Sequence, residues 1–221
     1  IAVHCEDEAT IRYNMQKAKE KYGDNVPIYE HHNIRSHDAC FKSSSLAVEL
    51  AKKHNSRLHV LHISTEKELE LFNNELALNE KKITSEVCIH HLSFTDKDYS
   101  KKGNFIKWNP AVKTEQDQDA LWKGLLNNKL DIIATDHAPH TKEEKNNLYF
   151  SCPSGAPMVQ HALPMMLQHT LNNKISIERV VEKMSHAPAI CFKLKNRGFI
   201  REGYHADLVI VQPNTKWSIK K

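Results

Sequence analysis

Four short apolar runs, each parted from the next by a segment of helical period, constrain this chain more than any other feature. They are Ile1-Ala2-Val3, Leu58 to Ile63, Ile83 to Ile89 and Leu130 to Thr135. The runs are nearly continuous in apolar residues, which predicts strands covered on both faces. Strands that alternate with helices predict parallel βαβ units with right-handed crossovers. The helix starts are legible too. Ser36 caps a helix through about Lys53, with Leu46, Ala47, Leu50 and Ala51 at helical spacing. Thr65 with Glu68 makes a capping box ahead of Leu69, Phe72 and Leu76. Thr114 precedes Leu121, Leu125 and Leu126, and Ser176 precedes Ile177, Val180, Val181 and Met184. A complete (β/α)₈ barrel uses eight such units in about 250 residues. Four units predict an α/β fold that is part of one barrel.

The tail reads differently. Arg197 to Val211 carries two glycines and then Leu208-Val209-Ile210-Val211, which predicts a turn and a strand outside the barrel. The expected division is therefore a barrel segment over 1–196 and the beginning of a small β-domain over 197–221. Lysines and arginines number 31 against 27 acidic residues and are scattered, so a solvated surface is expected and a nucleic-acid surface is not. No apolar run approaches the roughly 20 residues of a membrane span, and no signal segment is visible. The five cysteines are odd in number and form no CxxC pair. Reduced thiols in a cytoplasmic protein are the expectation.

Barrel enzymes place their chemistry at the C-terminal ends of the strands. Three of the four runs here end in a metal-capable side chain: His4, His62 and Asp136. Two imidazoles and a carboxylate suit zinc and similar divalent ions. Taken singly, a strand-end histidine more often makes a hydrogen bond, and an aspartate there can cap a turn. Three coincident strand ends strengthen the ligand reading. The adjacent His90-His91 pair reads as structural or supporting.

The motifs also carry a resemblance. Asp136-His137-Ala138-Pro139-His140-Thr141, followed by Glu143-Glu144-Lys145, resembles the signature of the dihydroorotases, cyclic amide hydrolases of the amidohydrolase superfamily. His4-Cys5-Glu6-Asp7 is similar to that family's fifth-strand motif and His62-Ile63-Ser64-Thr65 to its sixth. Trp108 to Lys113 resembles the Asn-Pro segment after the seventh strand. Ser185 to Pro188 and Gly198 to Val211 are similar to the late helix and the return to a β-domain.

The resemblance implies strands five to eight of the barrel and a binuclear zinc site. His4 and His62 would ligate one metal. Asp136 would ligate the other and shuttle a proton from the bridging hydroxide to the leaving amide nitrogen. Asn109, His140 and the Ser154-Gly155 loop would hold substrate. The implied reaction interconverts L-dihydroorotate and N-carbamoyl-L-aspartate in pyrimidine biosynthesis. Implied partners are a second copy of the chain and, in one alternative, an aspartate carbamoyltransferase.

The family's first-strand His-x-His pair and its fourth-strand ligand, an Asp or a carbamylated Lys, have no counterpart in these 221 residues. The expectation is an incomplete centre, inactive on its own. Rival readings are a hydantoinase, dihydropyrimidinase or allantoinase, or a non-catalytic scaffold.

Overall fold

The computed structural model describes residues 1–213 together with Thr215 and Ser218. A sheet of β1 (Ala2–Val3), β2 (Leu58–Val60), β3 (Ile83–Cys88) and β4 (Ile132–Ala134) forms its centre. The strands lie side by side in chain order and every pairing is parallel. The expected α/β fold is present. Its strand order runs without the reversal that marks a doubly wound sheet.

Register decides which side chains share a face. Ala2 pairs with His59 and His59 with Thr84, while Glu86 pairs with Ile132 and Cys88 with Ala134. Residues two apart on a strand point the same way, so Thr84, Glu86 and Cys88 form one line on β3. On the other face Val60, Val87 and Ile133 join Val48, Leu69, Leu121, Leu125 and Val180 in the main core. The strands are thus covered on that side by helices.

The caps form as expected. Ser36 accepts from the Ala39 amide at the start of the helix His37–Lys53. Thr114 and Asp117 make a reciprocal capping box on the helix Glu115–Leu126, and Ser176 caps Ile177–Val181. Asp117 does more than cap. It accepts from His37 Nε2 at 2.8 Å, Thr114 Oγ1 at 2.6 Å and the Glu66 amide at 3.0 Å, which ties three segments together.

Two helical faces differ from expectation. The helix His37–Lys53 buries Ala39, Cys40, Ser44, Val48 and Ala51, and leaves Leu46 and Leu50 exposed. The small side chains let the helix approach the sheet closely, and the leucines turn outward. Thr65 and Glu68 do exchange hydrogen bonds, but the helix they start is a 3₁₀ turn, Lys67–Leu71. Leu69 and Phe72 reach the core while Leu76 is exposed.

The tail makes its turn but no strand among the described residues. Gly198 and Gly203 have φ of 81° and 80°. A Cβ on Gly198 would meet the Ala189 Cβ at 2.4 Å, so the turn lies flat on the helix Ala187–Cys191. Leu208, Val209 and Ile210 that follow are exposed, and among the described residues no strand pairs with them. The rest of the expected β segment, residues 214, 216, 217 and 219–221, lies outside the described residues.

Candidate active site

The three strand-end residues are positioned by departures from strand geometry. His4 follows β1 directly. His62 and Asp136 lie just past β2 and β4 and adopt φ of 39° and 44°. Left-handed backbone at a residue other than glycine costs on the order of 1–3 kcal/mol and clusters at functional sites. Here it turns each side chain off the line of its strand. His4 Nδ1 and His62 Nε2 come to 2.8 Å across 58 residues of sequence.

Their protonation fits a role as ligands. His62 is buried, and burial, with smaller contributions from the neighbouring His4 and His91 rings, holds its pKa down to about 3. The ring is neutral, and its Nδ1 has no partner. His4 Nε2 lies 3.2 Å from Glu6 Oε2. A ligating histidine typically gives its second N–H to a carboxylate in this way, leaving the first nitrogen bare. Glu6 in turn pairs with Arg35. Burial opposes the Glu6 charge, but the His4 hydrogen bond and Arg35 outweigh it and hold its pKa below the usual range. Nitrogens sharing one tetrahedral ion stand about 3.3 Å apart, so His4 and His62 need to open by roughly half an ångström. The donor set therefore fits a divalent ion. Asp136 is half-buried. Burial raises its pKa, Glu86 raises it further, and His4 opposes both.

Beside Asp136, the predicted substrate residues fall into two linked loops. His137 bridges to Ala156, and the Ala138 amide donates to Ala156 O at 3.2 Å. His140 Nε2 donates to the Ser154 carbonyl at 3.1 Å. Gly155 has φ of 127°, and a Cβ there would sit 2.6 Å from both the Cβ and the oxygen of Ala138. Only glycine lets the loop lie this close. The Gly155 amide donates to Lys107 O at 2.8 Å, which brings the loop to the Trp108-Asn109 segment. Asn109 Oδ1 is buried and has no partner. His140, Ser154 and Gly155 are thus brought together, with Asn109 joined to them through Lys107.

Several contacts here escaped sequence reasoning. Lys145 Nζ donates to the Pro153 and Gly155 carbonyls, each at 3.0 Å. Lys107 Nζ donates to Tyr149 O at 2.6 Å and Cys152 O at 2.5 Å, and burial pulls its pKa down to about 8. His31 bonds the Trp108 carbonyl at 2.6 Å and Tyr149 Oη at 2.7 Å. Cys88, His90 and His91 form a buried group able to hold a metal ion. The lysine and His31 contacts join groups that no motif brings together, whereas Cys88, His90 and His91 lie within four residues of one another.

Parallel strands that end in two imidazoles and a carboxylate have the layout in which an α/β barrel can carry a divalent-ion site. A model of the amidohydrolase family matches residues 1–220. The chain belongs to that family. It is 32% identical to a dihydroorotase of Methanosphaera stadtmanae over 96% of this chain and 48% of the relative. It is likewise 32% identical to a dihydroorotase of Pyrococcus furiosus, over 100% of this chain and 46% of the relative. Among solved structures it superposes on an L-hydantoinase from Arthrobacter aurescens with a TM-score of 0.85 at 26% identity, covering 93% of this chain and 46% of that one. The chain spans about half the length of the curated relatives it matches.

Proposed function

We propose that this chain is the strand-five-to-eight half of a dihydroorotase barrel, and that residues 197–221 begin the β-domain behind it. In that reading it serves the interconversion of L-dihydroorotate and N-carbamoyl-L-aspartate. The observation that carries it is the meeting of His4 Nδ1 with neutral His62 Nε2, with Glu6 on the far nitrogen of His4. The choice of dihydroorotate over hydantoin, dihydrouracil or allantoin rests on His140 and on the curated relatives. The likeness to the L-hydantoinase supports the fold and the cyclic-amide class.

The residues divide the work. His4 and His62 would hold Zn²⁺, which would supply Lewis acidity at the attacked carbonyl and make water more acidic. An amide nitrogen is a poor leaving group and needs a proton as its bond to carbon breaks. Asp136 would take the proton that the attacking water gives up and pass it to the nitrogen. In cyclisation it takes the proton back. Asn109 Oδ1, free of protein partners, accepts from a ring N–H. His140 and the backbone of Ser154-Gly155 hold the substrate carboxylate. The first-strand histidines and the fourth-strand ligand of the family would come from outside these residues. As in the family it resembles, the complete protein pairs with a second copy and can associate with an aspartate carbamoyltransferase.

The test is turnover of dihydroorotate and of carbamoyl aspartate by the zinc-loaded protein that carries this chain. Asp136→Asn should lower kcat by about 10²–10⁴. Preference for hydantoin, dihydrouracil or allantoin refutes the substrate assignment. The 221-residue chain alone should bind zinc weakly and turn over neither compound.

A further inference from the structure

Three ligand-grade side chains sit together outside the set used above. Cys88 closes β3, and His90 and His91 lie in the single helical turn Ile89–Ser93 that follows it. All three are buried, with exposures of 0%, 0% and 2%. One ligand atom from each lies within 4.8 Å of the others.

Their nitrogens are under-used. His91 Nε2 stands 3.1 Å from the Pro110 carbonyl, which can only accept, so Nε2 carries the proton and Nδ1 is a bare lone pair. That Nδ1 has no partner, and neither nitrogen of His90 has one. The His90 ring stacks on Trp108 with centroids 4.3 Å apart and planes 9° from parallel. Stacking fixes the ring but satisfies no lone pair or N–H. An unpartnered buried polar atom costs about 1–3 kcal/mol and is uncommon in a folded protein. One such nitrogen from each ring, beside a thiol, calls for a common ligand. Burial keeps both imidazoles neutral, His91 with a pKa of about 3, and keeps metal-free Cys88 a thiol.

We infer that Cys88, His90 and His91 form a second metal site, structural in role, for a thiophilic divalent ion such as Zn²⁺. One sulfur and two nitrogens suit zinc and exclude calcium and magnesium, which take oxygen donors. Tetrahedral donors on zinc stand about 3.3–3.6 Å apart, so the trio closes by roughly an ångström of side-chain rotation. On binding, the Cys88 thiol gives its proton to water and its sulfur bonds the ion, with no change of oxidation state. The fourth position falls to water or a nearby donor. An ion there would fix the two rings that touch the next segment, His90 stacked on Trp108 and His91 bonded to the Pro110 carbonyl, beside Asn109.

Cobalt substitution reads this site apart from His4, His62 and Asp136, which offer no sulfur. The Co²⁺-loaded protein should show a thiolate-to-cobalt charge-transfer band in the near ultraviolet. Cys88→Ser should abolish the band and release one equivalent of cobalt, whereas His4→Ala should leave the band in place. Absence of the band, or its survival in Cys88→Ser, overturns the inference. X-ray absorption at the zinc edge of the unsubstituted protein guards against a variant that fails to fold. A zinc–sulfur path at about 2.3 Å is expected, and nitrogen and oxygen neighbours alone refute the site. That last result would leave the dihydroorotase reading standing, and a sulfur path without dihydroorotate turnover would do the reverse.

Discussion

Replacing Asp117 by asparagine should destabilise the fold by an amount that depends on pH in a defined way. The carboxylate is buried, which works against its charge, but His37, Thr114 and the Glu66 amide together pull its pKa from 3.8 to about 2. A shift close to two units, at ~1.4 kcal/mol each, is worth about 2.5 kcal/mol. That agrees with the ~1.5–3 kcal/mol expected of hydrogen bonds to a charged group. Because the folded pKa is the lower one, the stabilisation is present above the unfolded value of 3.8 and fades as pH falls toward about 2. Urea unfolding of both proteins at about pH 6 should therefore show a gap near 2.5 kcal/mol. At about pH 3 the gap should shrink to roughly half. A gap of equal size at both pH values would falsify the account, because the loss would then come from shape and not from charge.

Three further outcomes can be checked. Gly155→Ala should cost about 2–4 kcal/mol through strain and overlap with Ala138. Gly23→Ala, at φ 63° with nothing within 4 Å of the added carbon, should cost only about 1–2 kcal/mol in the same urea titration, and equal losses would remove the close-approach argument. Glu6→Gln should weaken zinc binding about 10–100-fold by calorimetry, since it loosens His4 without removing a ligand, and unchanged affinity would show that Glu6 does not orient the ring. Leu46→Ser should shift stability by less than about 0.5 kcal/mol while Val48→Ala costs about 1.5–3 kcal/mol, and the reverse order would restore the leucine-inward face.

What the chain declares about itself is mostly local. Ser36, Thr114 and Ser176 cap helices because a side chain meets an amide three residues away, a contact visible in one dimension. Strand ends were legible for the same reason, and their parallel pairing in chain order brings His4 onto His62. Which face of a helix is buried is a different matter. Leu46 and Leu50 are the more apolar choice, yet the face of Cys40, Ser44 and Val48 is covered, because small side chains allow closer packing on the sheet. The 3₁₀ turn at Lys67–Leu71 shows a capping box starting a helix that then ends within two turns. Arg35 on Glu6 and Lys145 on three carbonyls depend on distances no periodicity encodes.

The strand order has a consequence for how the protein is made. Each strand pairs with its immediate predecessor, so it meets its neighbour already synthesised. Pairing of Ala2 with His59 and Val3 with Val60 sets the two imidazoles side by side as soon as the first crossover closes. Asp136 leaves the ribosome 74 residues after His62, about 4–15 seconds later at ordinary rates of synthesis. In the proposed reading, the two imidazoles would meet on the nascent chain before the aspartate that moves the proton has been made.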